Sequence, residues 1–132
     1  MDKAVIVARV LLALPLLVFG LDGFFGFLPE DTYPEHGEMA TAFLAALVDS
    51  GYAWTLVKAV EVTVAVALLS GRFVPLALVV FAPVLVNIVG FHLTMEREGL
   101  GLAFVLVLLT GFIGWSCRAH FRPLLSARTL ST

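Results

Sequence analysis

Residues 52–95 read YAWTLVKAVEVTVAVALLSGRFVPLALVVFAPVLVNIVGFHLTM. Two apolar runs flank Ser70-Gly71-Arg72, and each is close to the ~20 residues that cross a ~30 Å hydrocarbon layer as a helix. A link this tight makes the two helices antiparallel neighbours. Working outward, two further low-charge runs stand at 4–28 and 100–117, so the spans are predicted at 4–28, 52–70, 73–95 and 100–117. The fold class is all-α, an integral membrane four-helix bundle in one domain covering 1–132. Punctuation falls where helix ends need it: Pro29 and Pro34 after the first span and Glu96-Arg97-Glu98-Gly99 before the last.

The composition agrees. Of 132 residues 61% are hydrophobic and 14% charged, against roughly half and a quarter in soluble domains. A chain this short cannot enclose so much apolar surface, so the remainder faces lipid. A net charge of −2 provides no basic patch for nucleic acid. The single cysteine, Cys117, excludes an internal disulfide or dithiol relay. The first run contains Arg9 and Pro15 with no small-residue cleavage site before Asp22, and is read as a retained span.

Lys3, Arg9, Arg72, Arg118, Arg122 and Arg128 fall at the start, in the second link and after the last span. The first link, 29–51, has acids but no Lys or Arg, and the third has only Arg97. The positive-inside rule therefore places both termini in the cytoplasm. Within the first outer link, Met39, Phe43 and Leu47 recur every four residues between Glu38 and Asp49. That predicts a short amphipathic helix, either a shield for the bundle or a lid over a cavity. Trp54 and Trp115 read as interfacial anchors.

Five polar residues lie inside the predicted spans: Asp22, Lys58, Glu61, Asn87 and His92. A charge in hydrocarbon costs about 3 kcal/mol on insertion scales, so each needs a partner, water or a task. Counting ~1.5 Å per residue, Asp22 and His92 fall within about 5 Å of the outer boundary, Lys58 and Asn87 near 9 Å, and Glu61 near mid-membrane. All five share the outer half. Lys58 and Glu61, three residues apart, share one helix face. Two readings stand at this point: a structural network that joins helices, or a site that binds a ligand and exchanges protons. Asn87 and His92 are about 140° apart around a regular helix, so both meet one cavity only if the helix opens near Gly90 or the site spans a broad arc. No H-E-x-x-H, paired cysteines, phosphate loop or G-x-S-x-G occurs. No metal site is predicted, and no redox cofactor is evident.

Three stretches carry a resemblance: Phe19-Gly20-Leu21-Asp22-Gly23-Phe24-Phe25; Leu56-Val57-Lys58-Ala59-Val60-Glu61 followed by Leu68-Leu69-Ser70-Gly71-Arg72-Phe73-Val74-Pro75; and Ala82-Pro83-Val84-Leu85-Val86-Asn87-Ile88-Val89-Gly90-Phe91-His92. Together they resemble the DoxX-like family of small bacterial membrane proteins, over about 10–125. The resemblance implies a four-helix transmembrane bundle in the bacterial inner membrane. Relatives include subunits associated with thiosulfate:quinone oxidoreductase, proteins linked to methylamine utilisation, and Surfeit-type cargo receptors. Relatives often have Asn-Lys where this chain has Asp22-Gly23. Lys58, Glu61, Asn87 and His92 stand where the family places polar residues.

The leading expectation is an outer-half cavity lined by Asp22, Lys58, Glu61, Asn87 and His92. It would bind a small apolar molecule such as a quinone, with Lys58, Glu61 and His92 exchanging protons and a redox protein as partner. One alternative is a non-catalytic subunit or scaffold with a structural cluster. Another is a cofactor-free acid-base enzyme of isomerase type acting on a lipid-like substrate.

Overall fold

The computed structural model describes residues 2–129. Its long elements are α1 (Lys3–Phe25), α2 (Glu38–Asp49), α3 (Ala53–Ser70), α4 (Val74–Thr94) and α5 (Leu100–Ser116). Short 3-10 turns occupy Glu30–Thr32, Arg97–Gly99, Arg118–His120 and Arg122–Leu125, and no strand occurs among the described residues. Four helices are long and apolar enough to cross a membrane: Lys3–Phe25, Ala53–Ser70, Val74–Thr94 and the stretch Arg97–Ser116. This is the signature of a multi-pass membrane protein.

Each helix end has a local cause. Asp2 caps α1, its Oδ1 accepting the Ala4 N–H at 3.2 Å. Three residues earlier than the apolar run predicts, α1 stops at Phe25, because Gly26 turns left-handed (φ 60°) and donates its N–H to the Asp22 carbonyl at 2.7 Å. The α3–α4 turn is left-handed twice, at Gly71 (φ 71°) and at Phe73 (φ 58°). Pro15 and Pro83 lie inside α1 and α4 without ending them, as membrane helices allow. The amphipathic segment of the first link is helical from Glu38 to Asp49 and packs on α3.

α1 packs on α3 and α5, α3 on α4, and α4 on α5. Gly23 adjoins Lys58 and Gly71 adjoins Arg9, so α1 and α3 run antiparallel. One end of the molecule therefore holds the start of α1, the α3–α4 turn and the end of α5. The other holds α2 and the first and third links. Buried apolar positions recur at helical spacing: Leu12, Ala13 and Leu16 on α1; Val64, Ala65 and Leu68 on α3; Ala77, Leu78 and Phe81 on α4; Leu106 and Ile113 on α5. The opposite faces remain apolar and exposed, among them Leu11, Val66, Leu76, Val86, Phe104 and Leu108. In water such faces would be a liability; in lipid they are solvated.

Candidate functional site

Close approach of α1 to α3 builds the first polar corner. Gly20 lies against Glu61 and Val62: a Cβ there would come within 2.8 Å of Val62 Cγ2 and 3.2 Å of Glu61 Cβ. One turn on, the aliphatic stem of Lys58 lies across Gly23, where a Cβ would collide with it. The two glycines let a long charged side chain lie flat between helices, its methylenes buried and its ammonium turned toward Glu61.

Lys58 Nζ donates to Glu61 Oε2 at 3.1 Å, with the two residues only 9% and 7% exposed. The Trp54 ring, one turn earlier on α3, lies 4.6 Å from Nζ, within cation–π range. Trp54 is thus a contact of the charged pair as well as an aromatic near the end of its span.

Asp22 ties the chain leaving α1 back onto that helix. Its Oδ1 accepts the Leu28 N–H at 2.7 Å and its Oδ2 accepts the Tyr33 hydroxyl at 2.6 Å. The Tyr33 ring tilts against Phe19, with centroids 5.8 Å apart. Asp22 senses the charge of Lys58, and Tyr33 that of Glu61. Burial, then the bond to the Asp22 carboxylate, pushes the Tyr33 phenol above its ordinary range, so it is a proton donor in a fixed position.

His92 belongs to a second corner. His36, from the first link, pairs with the buried Glu96 across 60 residues of chain, Nδ1 to Oε2 at 2.8 Å. Phe91 packs against His36, Phe43 and His92, with centroids 6.1, 5.8 and 5.2 Å away. His92 lies within electrostatic reach of Glu96 and His36. Its imidazole rests on Gly99, where a Cβ would collide with the ring. Its Nδ1 is buried without a hydrogen-bond partner among the described residues.

Asn87 takes part in neither corner. It is exposed, and its Nδ2 donates to the Pro83 carbonyl of its own helix at 2.8 Å. The five sequence candidates therefore divide: Asp22, Lys58 and Glu61 share the α1–α3 corner, His92 joins His36 and Glu96, and Asn87 turns outward. Sequence reasoning passed over Tyr33, His36 and Glu96 as link residues. The available signal was His36 in the first link and Glu96 in the third, two side chains able to pair on the same side of the bundle, but pairing between links is a tertiary event that periodicity does not encode. Among the described residues no group of three His, Cys, Asp or Glu has a metal-holding arrangement.

Comparison with known proteins finds no matching family model, no matching curated protein and no matching solved structure. The functional reading therefore rests on the residues themselves.

Proposed function

We propose that this chain is a DoxX-like protein of the bacterial inner membrane, a four-helix bundle with both termini in the cytoplasm. Its α1–α3 corner, on the non-cytoplasmic side, binds the polar head of a small apolar molecule such as a quinone. The observation that carries this reading is the buried Lys58–Glu61 pair inside a membrane span, because ionisable groups kept at that depth serve a task more often than not. Lys58 is the donor and Glu61 the acceptor for carbonyl and hydroxyl groups of the head, and Trp54 offers a flat apolar face beside them. Tyr33 and Asp22 lie at the solvent side as a hydrogen-bonded relay. Glu61 takes up a proton when the head is deprotonated and passes it outward. Electrons, where the reaction moves them, go to a partner redox protein, since no redox centre is evident in these residues.

A second reading, a scaffold subunit, draws on a specific feature: Lys58 and Glu61 satisfy each other within one helix, and the Lys58 stem fills the groove at Gly23. The experiment that separates the two is a titration of detergent-solubilised protein with a short-tailed benzoquinone, read by quenching of Trp54 in a Trp115→Phe background. Saturable quenching that weakens in Glu61→Gln, measured at a temperature where circular dichroism shows the variant still folded, supports the binding site. Quenching that is linear in quinone, or identical in Glu61→Gln, rejects it and leaves the scaffold.

A further inference from the structure

α5 is the shortest of the four spanning helices. Its 17 residues rise about 25 Å, and with the Arg97–Gly99 turn ahead of it the stretch only matches a hydrocarbon layer of ~30 Å. The chain leaving Ser116 therefore emerges at the boundary of that layer, not beyond it.

From there it stays folded against the bundle. The Cys117 N–H donates back to the Ile113 and Gly114 carbonyls at 3.3 and 3.2 Å, and the two 3-10 turns are closed by His120 N–H on the Cys117 carbonyl and Leu124 N–H on the Phe121 carbonyl, both at 3.0 Å. Between the turns the half-buried Phe121 packs against the apolar core. An aromatic anchor and two closed turns thus hold this segment at the depth where α5 stops. Ala119 and His120 also border a cavity shared with Asp2, Arg9 and Gly71.

What the segment presents outward is of two kinds. Leu124 and Leu125 are 68% and 83% exposed, and Trp115 is exposed beside them in sequence. Arg118, Arg122 and Arg128 are exposed as well. Arg118 lies 4.7 Å from the Trp115 ring and donates through Nη1 to the Trp115 carbonyl at 2.9 Å, which holds a charge over an interfacial aromatic. No acid occurs after Glu98. Asp2, across the cavity from Ala119 and His120, has its Oδ1 in the α1 cap and is followed by Lys3.

We propose that residues 115–128 form an interfacial foot that docks on an anionic lipid surface and gathers acidic phospholipids around the end of α5. Trp115, Leu124 and Leu125 enter the acyl boundary, while Arg118, Arg122 and Arg128 meet the headgroup phosphates. The pairing of charge with apolar side chains selects this occupant. A soluble anion has no use for the leucines, and a second copy of the foot would set arginines against arginines. The foot requires only that the chain spans a bilayer; it is independent of the Lys58–Glu61 corner and of what that corner binds.

The test is quenching of Trp115, in a Trp54→Phe background, by brominated phosphatidylglycerol or brominated phosphatidylcholine in vesicles that hold the full-length protein. The expected result is a preference for phosphatidylglycerol of up to about fivefold, the worth of one arginine near an anionic surface. It falls by half or more in Arg122→Gln/Arg128→Gln and in about 0.5 M salt, and it returns in Arg122→Lys/Arg128→Lys, which keeps the charge at the same exposed positions. Equal quenching by the two lipids, or a preference unchanged in the glutamine variant or lost in the lysine variant, overturns the proposal. A nitroxide on Ala127→Cys, an exposed position, in a Cys117→Ser background reads the depth: relaxation by oxygen over a water-soluble nickel chelate supports the foot. The reverse ratio overturns it and leaves Leu124 and Leu125 to a protein partner.

Discussion

Replacing Lys58 by methionine removes the ammonium but keeps most of the stem that fills the Gly23 groove. What remains is a Glu61 carboxylate at 7% exposure with no counter-charge at 3.1 Å. At that separation the gross attraction is about 5 kcal/mol at an effective dielectric of 20, and breaking a buried pair from one side typically costs about 3–5 kcal/mol. Because both residues belong to one helix, part of the pair survives in the helical denatured state of a membrane protein, which brings the expected loss to the lower part of that range, about 3 kcal/mol. The double variant Lys58→Met/Glu61→Leu removes both charges and should lie within about 1–2 kcal/mol of the parent. The assay is equilibrium unfolding in mixed micelles with increasing dodecyl sulfate, for the parent, both single variants and the double, closed as a cycle. A loss below about 1 kcal/mol for Lys58→Met, the worth of an exposed pair, would refute the reasoning. So would a double variant as unstable as the sum of the singles.

Gly20→Ala should destabilise by about 1–3 kcal/mol through overpacking on Val62. Gly111→Ala, with nothing within 4 Å of a new Cβ, should be neutral or stabilising by up to about 1 kcal/mol; thermal melts in detergent compare the two. His36→Ala should leave Glu96 buried without its 2.8 Å partner and cost about 1–3 kcal/mol, with faster amide exchange in residues 29–37 as the local sign. In a Tyr52→Phe background Tyr33 is the sole tyrosine, and alkaline titration by ultraviolet absorbance should find it ionising above the ordinary phenol value of 10.0. The sign follows from linkage. Below pH 10.0 both states hold the proton and the contribution is full; above it the unfolded chain releases its proton first, and stability falls until folded Tyr33 ionises.

The four spans were legible because a hydrocarbon solvent demands long uninterrupted apolar helices, and only residues such as Gly26 and Gly71 set their ends locally. The Lys58–Glu61 contact was legible for the same reason: three residues along a helix fix an angle before any tertiary structure exists. His36–Glu96 and Asp22–Tyr33 were not, since each joins a link to a distant or irregular segment. Asn87 shows the limit from the other side: its depth matched that of Lys58, but depth says nothing of azimuth, and its amide bonds its own helix. Arg9 read as an orientation signal, and only the packing of three segments around it creates a cavity.

That the ammonium and carboxylate share one helix bears on how the protein is made. A lone Lys and a lone Glu would each raise the cost of partitioning α3 out of the insertion machinery by about 3 kcal/mol. Mated across a single turn, they travel as a neutral unit and need no neighbour in place on arrival. Biogenesis of this span therefore does not wait for α1, and the glycine groove that later receives the Lys58 stem acts on an element already settled in the bilayer.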